Sequence, residues 1–418
     1  MKWNRFGRGS LASILSVALL SVTACSRDYV LAYLYVTTAK PLTSGSNTGG
    51  VSAYSVDYQI GSLNSLADSP VPAGRTPITL IATPNGLNLY VINQDDSSVG
   101  EYSIGTDGKI YLQNTYNVTG SRPTAVSMDV TGTFLYVTFT YQLGANGQQL
   151  YSPASPGPGG VTIFPINKDG SLGSPSTVKV GNNPAGIAVT HPVTAASGNR
   201  TYVYVIDQEG VTNAFVLGFL QDPTSGLLSP VPGTTITTDS TGKTVATGYR
   251  AGVTPSAIAV DPSTRFVYIT DQTTNQLFGS QVNNDGSLSA MLNSPFPTGN
   301  RPVGLTVDPR GKYLYVANYS SSTVGAYAID PSTGTPAPSV GSSATNTDTS
   351  PQCVAIEPAL GLYLYTANNL ASDVSAFKLN PSTGVLGQVQ NTPFPSSGLP
   401  TCAVAVANGS HPTQVIVQ

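Results

Sequence analysis

A segment that recurs along the whole chain constrains the fold more than any other feature of the sequence. Its clearest copy spans Pro302–Gly334 and reads PVGLTVDPRGKYLYVANYSSSTVGAYAIDPSTG. Apolar and polar residues alternate over Val303–Val307, a β-rich run follows at Tyr313–Ala317, and alternation returns over Val324–Ile329, with Pro, Asp and Gly residues at the turns. A weaker fourth run comes next. This pattern predicts four short antiparallel strands in meander order.

The second strand of the repeat carries an aromatic-x-x-polar pattern. Seven copies begin at Tyr35, Tyr90, Tyr136, Tyr204, Tyr268, Tyr315 and Tyr365. Their spacing, 46 to 68 residues, equals or exceeds the roughly 40 to 50 residues of one propeller blade. We therefore predict an all-β fold, a seven-bladed β-propeller of four-stranded antiparallel blades. An array of β-sandwiches is the alternative, but it would need linkers between copies and the composition shows no such break.

The first strand of the repeat also recurs seven times, and its position predicts how the ring closes. The copies begin at Pro77, Pro123, Pro184, Pro255, Pro302, Pro351 and Pro400. The N-terminus supplies a second strand, Tyr33–Thr37, with no first strand ahead of it, whereas the C-terminus supplies a late first strand, Thr401–Val406. Pairing of these two strands would close the ring and remove exposed sheet edges. Gln414–Gln418 resembles a further second strand that competes for the place of Tyr33–Thr37.

The N-terminal residues predict export. Positive residues precede an apolar run, Leu11–Val22, that is too short to span a bilayer as a mature helix. The run ends in Val-Thr-Ala-Cys, which resembles a lipobox, so we expect a signal peptide over residues 1–24, lipidation at Cys25, a tether over 25–30 and the propeller over 31–418. Ser26 after the cysteine favours the outer membrane. The alternative is an ordinary cleaved signal peptide in which Cys25 is incidental.

Composition narrows the classes of partner. Charged residues make up 9% of the chain and the net charge is -3, against roughly 25% charged residues in average soluble proteins. No basic stripe is present, so nucleic-acid binding is not expected. A surface built from hydroxyl and amide groups fits an extracytoplasmic all-β protein, which we expect to be a monomer.

The repeated residues, Pro-x-x-apolar-x-apolar-Asp-Pro-x-Gly-x-x-Leu-Tyr-Val-Ala-Asn, resemble those of YVTN-type propellers. They are similar also to those of the seven-bladed lactonase family, which includes 6-phosphogluconolactonase and carboxy-muconate cyclase relatives. The resemblance covers nearly all of the mature chain and implies the fold more strongly than the activity. It implies lactone chemistry at the funnel of the propeller without a metal or organic cofactor, whereas other propellers of this kind are binding or surface proteins.

Blade topology predicts which polar residues meet at one face, the mouth of the central channel. The loop entering a first strand and the loop leaving a second strand lie on the same face. Three arginines, Arg75, Arg122 and Arg301, precede first strands, and five carboxylates follow second strands: Asp95, Asp96, Asp207, Glu209 and Asp271. Two long insertions, Thr140–Gly160 and Thr234–Thr254, are expected on this face too.

Lactone hydrolysis needs a base for water and a cation or donor for the oxyanion. We assign Arg122 and Arg301 as the preferred catalytic anion binders and Glu209 or Asp207 as the base. Arg75 and Asp271 are expected to bind substrate. In the alternative, the arginines form rim salt bridges or cap neighbouring loops.

Other carboxylates are expected to be structural, because they begin hairpin turns on the opposite face. These are Asp129, Asp261, Asp308 and Glu357. Only His191 and His411 are present, which makes a histidine-based triad or a multi-histidine metal centre improbable. We therefore expect no metal site.

Cys353 and Cys402 occupy the same repeat position, two residues after Pro351 and Pro400. In an oxidising compartment they could form a disulfide between adjacent blades. Two buried free thiols are the alternative.

Two functions follow from these features. The first is an envelope lactonase that acts on a sugar lactone or similar cyclic ester. The second is a non-catalytic propeller that binds an envelope protein or glycan through its rim. A lactonase should bring Arg122, Arg301 and an acidic residue together in a closed funnel, whereas a binding protein should expose an aromatic or apolar patch.

Overall fold

The computed structural model describes residues 29–143, 158–195, 198–208, 214–240, 244–339, 344–409 and 411. Within these ranges the secondary structure is strand, turn and irregular chain, with no helix. The strands form seven antiparallel blades of at least four strands each, which confirms the predicted β-propeller. We number the blades 1 to 7 from the blade that contains Val30.

Strands are best described by their position in a blade, counted outward from the central channel. The innermost strands of blades 1 to 7 are Pro400–Ala407, Pro77–Ala82, Gly120–Met128, Pro184–Val189, Pro255–Val260, Pro302–Val307 and Pro351–Ile356. The second strands are Val30–Thr38, Asn88–Asn93, Phe134–Gln142, Tyr202–Asp207, Phe266–Asp271, Tyr313–Asn318 and Tyr363–Asn368.

The outer half of each blade is less uniform. The third strands are Gly50–Asp57, Ser98–Ile104, Gly160–Pro165, Phe215–Gln221, Gln276–Val282, Thr323–Ile329 and Asp373–Leu379. The fourth strands are Leu63–Ser65, Ile110–Asn117, Ser176–Lys179, Leu228–Pro230, Leu288–Ala290, Pro336–Pro338 and Leu386–Gln388. In five blades a further short strand pairs with the third strand: Val71–Pro72, Tyr249–Arg250, Phe296–Pro297, Ala344–Asn346 and Phe394–Pro395. Two hairpins complete the described strands: Val193–Ala195 with Gly198–Arg200, and Thr235–Thr238 with Thr244–Thr247.

Both chain ends contribute to blade 1, as predicted. The N-terminal strand Val30–Thr38 pairs antiparallel with the C-terminal strand Pro400–Ala407, with Tyr33 opposite Val406 and Tyr35 opposite Val404. The innermost strands contact their neighbours all the way around the ring. Val30–Thr38 therefore holds the second-strand place of this blade. Gln414–Gln418, which we expected to compete for that place, lies outside the described ranges.

The seven repeated tyrosines hold neighbouring blades together. Each is wholly buried, and its hydroxyl donates to a glycine carbonyl in the turn between the third and fourth strands of the next blade. The pairs are Tyr35–Gly108, Tyr90–Gly170, Tyr136–Gly226, Tyr204–Gly286, Tyr268–Gly334, Tyr315–Gly384 and Tyr365–Gly61. The aromatic marker in the sequence therefore corresponds to one repeated contact that runs around the ring.

One expectation about a strand boundary was wrong, and the expectation about one insertion holds for its last residues. The innermost strand of blade 3 begins at Gly120 instead of Pro123, because this blade extends as a ribbon in which Gly120 pairs with Gln142. The last residues of the insertion Thr234–Thr254 do reach the mouth, since Val253 and Thr254 donate to Asp271. The strands Thr235–Thr238 and Thr244–Thr247 instead pair with each other as a separate hairpin. Its Ile236 and Ala246 join the core cluster shared by blades 3 and 4. Burial of these apolar side chains is more favourable than their exposure to solvent.

Candidate functional site

The mouth of the channel is defined by strand register. Pro302 pairs with Asn318, Pro255 with Asp271 and Pro184 with Asp207. The loop before each innermost strand therefore lies beside the loop after each second strand, as the blade topology predicted.

A belt of hydrogen bonds joins the blades at this mouth. The carbonyl of the first proline in an innermost strand, or of Pro123 in blade 3, accepts a side-chain hydrogen bond from the preceding blade. The donor and acceptor pairs are Thr401–Pro77, Gln94–Pro123, Thr124–Pro184, Gln208–Pro255, Ser256–Pro302 and Asn369–Pro400. Each donor is either the residue after the proline of its own blade or the residue after its second strand.

The junction between blades 6 and 7 departs from this pattern. The two donor positions of blade 6 hold Val303 and Tyr319. Valine has no donor, and the Tyr319 ring instead lies under the guanidinium of Arg301, with 4.6 Å between Cζ and the ring centroid. This distance is that of a cation–π contact.

Arg301 is held in place by three groups. Besides the Tyr319 ring, its backbone N–H donates to Asn275 Oδ1 at 2.7 Å, and its Nε donates to Gln272 Oε1 at 3.3 Å. Gln272 is not needed for the belt, because the Pro302 carbonyl already accepts a hydrogen bond from the Ser256 hydroxyl. Within the described part of the chain, the two terminal nitrogens of Arg301 make no hydrogen bond and no carboxylate lies within ion-pair distance. They can bind a carboxylate, phosphate or oxyanion in bidentate fashion.

Arg122 occupies the equivalent place in blade 3. It bonds to Gln94 Oε1 through Nη2 at 3.2 Å, and its backbone N–H donates to Ser97 Oγ at 3.2 Å. The Gln94 side chain also donates to the Pro123 carbonyl. In this blade one glutamine therefore both binds the arginine and joins the neighbouring blades. Among the described residues, Arg122 has no carboxylate partner either.

Arg122 and Arg301 both have positive φ, 54° and 53°. Thr76, Ser350 and Leu399, at the equivalent position of other blades, share this conformation. The left-handed backbone is therefore a feature of the repeat and does not by itself mark a functional site.

Arg75 forms the rim salt bridge that the sequence left as an alternative. Its Nε lies 2.5 Å from Asp96 Oδ1, and its Nη2 donates to the backbone carbonyl of Asp95 at 2.8 Å. The hydrogen bond to Asp96 raises the pKa of Arg75. Because the local carboxylate neutralises this cation, the geometry does not favour substrate binding at Arg75.

Two carboxylates expected in the site organise loops instead. Asp271 is wholly buried and accepts hydrogen bonds from the backbone N–H groups of Val253, Thr254 and Thr273. Asp207 is also wholly buried, and its Oδ1 accepts from the N–H of Asn183 at 3.0 Å. Since both are shielded from solvent and serve backbone amides, their geometry argues against direct contact with substrate. Glu209 lies outside the described residues.

The carboxylates on the opposite face are structural, as expected. Asp129, Asp261 and Asp308 accept hydrogen bonds from the N–H groups that begin the next strand, at 2.6 to 2.8 Å. Glu357 accepts from the N–H of Leu362 at 2.6 Å and from that of Tyr363, which begins the next strand, at 3.3 Å.

A carboxylate pair that the sequence did not bring forward lies at the mouth side of blade 7. Burial, and then the neighbouring Asp348, raises the pKa of Asp373 to about 6. Asp373 also accepts a hydrogen bond from Asn368 Nδ2 at 2.7 Å. Asp348 precedes an innermost strand, as Arg301 does, and only carboxylates after second strands had been considered.

Cys353 and Cys402 form a disulfide between the innermost strands of blades 7 and 1, with their Cα atoms 4.9 Å apart. Around the rest of the described chain, no cluster of three or more His, Cys, Asp or Glu residues could hold a metal ion. No helix in the described ranges is long and apolar enough to cross a membrane.

Comparison with known proteins shows the family to which the chain belongs. The sequence profile of the family described as "Lactonase, 7-bladed beta-propeller" matches residues 33–208 and 228–356. The chain belongs to this lactonase family. Among curated relatives, a 6-phosphogluconolactonase of Pectobacterium carotovorum is 27% identical over 311 residues, which is 66% of this chain and 86% of the relative.

Solved structures extend the likeness to the whole ring. A putative 6-phosphogluconolactonase from Bacteroides uniformis has a TM-score of 0.66 and 19% identity, and the match covers 90% of this chain and 99% of that chain. The structure described as the periplasmic gluconolactonase of Pseudomonas aeruginosa has a TM-score of 0.64 and 21% identity, with the same coverage. At these identities the structures establish the fold of this lactonase-family chain.

Proposed function

We propose that this lactonase-family protein hydrolyses a sugar lactone or similar cyclic ester at the mouth of the propeller. The observation that carries the proposal is Arg301, a cation fixed by Tyr319 and Gln272 whose terminal nitrogens are uncommitted within the described chain. The family match supports a lactone hydrolase, and the relatives named as 6-phosphogluconolactonases and as a gluconolactonase favour sugar lactones.

The proposed chemistry is ester hydrolysis. Water attacks the lactone carbonyl, negative charge develops on its oxygen, and the ring opens to a hydroxy acid. A guanidinium aimed at that oxygen, or at an anionic group of the substrate, stabilises the transition state most where water is partly excluded. Arg122 would supply a second cation from the far side of the ring. Glu209 remains our sequence-based assignment for the base that accepts the proton from water.

The location is part of the proposal. We place the protein in the cell envelope, anchored through lipidated Cys25 at the outer membrane or cell surface. The described ring begins at Tyr29, so a tether of a few residues would hold it close to the lipid surface. Radiolabelled palmitate should enter the wild-type protein and not a Cys25→Ala variant; equal labelling of both would contradict this location.

The activity is tested with the chain from Ser26 onward, which contains every described residue and both strands that close the ring. Hydrolysis of a panel of sugar, phosphosugar and acyl lactones is followed by acid release, beside Arg301→Ala and Arg122→Ala variants. We expect turnover of a sugar lactone that the Arg301→Ala variant largely loses. Turnover that both variants retain would place the site elsewhere. No hydrolysis of any lactone would favour the alternative, a non-catalytic propeller that binds an envelope protein or glycan.

A further inference from the structure

The outer edge of blade 2 differs from the outer edge of every other blade. Its fourth strand, Ile110–Asn117, has eight residues, whereas the other described fourth strands have three or four. It pairs with the third strand along its whole length. None of the described strands pairs with its other side. In an extended strand of this length, the free edge is about 27 Å long.

Exposed edge strands are normally protected from pairing with another chain by proline, by charged side chains or by being short. Most other blades follow that rule, because their outer edges are split into short pieces, often with proline, as in Leu288–Ala290 followed by Phe296–Pro297. The sequence of the blade 2 edge, IYLQNTYN, has neither proline nor a charged residue. The usual protections are therefore missing over this strand.

Exposed apolar side chains occur on the same strand. Tyr111 is 52% and Leu112 55% exposed. Of the large hydrophobic residues exposed in the described chain, these two lie within a strand, while the others lie in turns and loops. Because they are consecutive, they project from opposite faces of the sheet. A strand added to this edge would pack beside both.

The edge is also anchored rather than frayed. Buried Glu101 accepts hydrogen bonds from Asn114 Nδ2 at 3.1 Å and from the Tyr116 hydroxyl at 2.7 Å. The Tyr116 oxygen in turn accepts the backbone N–H of Leu172 in blade 3 at 3.1 Å. The strand is thus fixed to its own blade and to the neighbouring blade, and it presents a preorganised template for pairing.

We propose that Ile110–Asn117 pairs antiparallel with the same strand of a second copy, forming a two-fold symmetric dimer. A two-fold axis brings each half of the strand against the other half in the partner copy, so a strand meets its own sequence. Because the strand carries no charge, self-pairing brings no like charges together. This proposal replaces the expectation of a monomer and does not depend on the proposed activity.

The register shift at Gln113 fits such an axis. Gln113 has no partner in the third strand, and its side-chain amide donates to the Tyr111 carbonyl at 3.0 Å and to Ser103 Oγ at 2.9 Å, so it stays bonded to its own blade. The ladder would form on both sides of this point, with Ile110–Leu112 opposite Thr115–Asn117. Leu112 then lies opposite Thr115 in the other copy. An interface of this size is small, so we expect a dissociation constant on the order of 10–100 µM.

Sedimentation velocity from about 5 to 300 µM, using the chain from Ser26 onward, tests the dimer. We expect a concentration-dependent shift from monomer to dimer. The Leu112→Lys/Thr115→Lys variant should remain monomeric, because it places lysine opposite lysine at two points. Both side chains are exposed, so the variant should fold, and its thermal unfolding is measured to verify this.

The matched control is Ser289→Lys/Ala290→Lys, which adds the same charge at two exposed positions of the short blade 5 edge. It should dimerise like the wild type. A mixture of the Leu112→Lys/Thr115→Lys chain with a Leu112→Glu/Thr115→Glu chain should dimerise again, since each lysine then meets a glutamate. A wild type that stays monomeric at 300 µM, including one that pairs only with an added extended peptide, would overturn the proposal. So would a dimer that survives the lysine pair at residues 112 and 115.

Discussion

Two corners of the channel mouth use the same kind of residue in different ways. At blade 2, Arg75 meets Asp96 in a salt bridge, although its side chain is 49% exposed. At blade 6, Arg301 lies on the ring of Tyr319 and bonds to the neutral amide of Gln272. Both arginines lie just before an innermost strand: Arg301 directly precedes Pro302, whereas Arg75 lies one residue further from Pro77 because Thr76 stands between them.

The difference lies in what the partners do to the charge. A carboxylate cancels the positive charge of Arg75 locally, whereas an aromatic ring and an amide orient Arg301 and leave its charge uncompensated within the described chain. Only the second arrangement offers an anion an unmatched cation. The predictions below separate the two corners.

Replacing Arg301 should have the largest effect. If its guanidinium stabilises the developing oxyanion, Arg301→Ala should lower kcat/KM for the lactone by about 100- to 1000-fold. Steady-state kinetics with the best substrate of the panel measures this. A loss no greater than that caused by Arg75→Ala would remove the distinction between the corners.

The aromatic partner should matter less. Tyr319→Leu removes the ring that orients Arg301, and a contact of this kind contributes about 0.5–1 kcal/mol at an exposed site. We expect kcat/KM to fall about two- to tenfold. Tyr319→Phe keeps the ring and should stay within about twofold of the wild type; if Phe and Leu behave alike, the ring does not position Arg301.

Removing the carboxylate at blade 2 should make that corner resemble blade 6. In Asp96→Asn, Arg75 loses its charged partner but keeps a polar neighbour. Inorganic phosphate should then bind about two- to fivefold more tightly, an effect that weakens as salt is raised because exposed charges are screened. Isothermal titration in low and high salt measures the change, with Asp95→Asn as the matched variant. Unchanged phosphate affinity would mean that Asp96 does not mask Arg75.

Arg75→Ala should have the smallest effect. An exposed salt bridge contributes little to stability, and we expect Tm to move by less than about 2 °C, measured by circular dichroism. Turnover should stay within about twofold of the wild type. A marked loss of turnover with unchanged Tm would restore Arg75 as a substrate-binding residue.

The sequence by itself determined the ring. Seven tyrosines at one repeat position each make the same contact to the next blade, so a local pattern corresponds to one physical interaction repeated around the fold. The offset between first and second strands likewise determined which blade contains both chain ends. Repeated contacts between neighbours leave a periodic trace in sequence, and this is why the architecture could be predicted.

The tertiary structure alone decided the roles of the polar residues at the mouth. Arg75, Arg122 and Arg301 hold near-equivalent places in sequence, but their partners, Asp96, Gln94 and Gln272, come from loops about 20 to 30 residues away. Asp207 and Asp271 looked available, yet folding buries both among backbone amides. The charge that a side chain presents depends on which groups the fold places beside it, and those groups vary from blade to blade while the repeat stays the same.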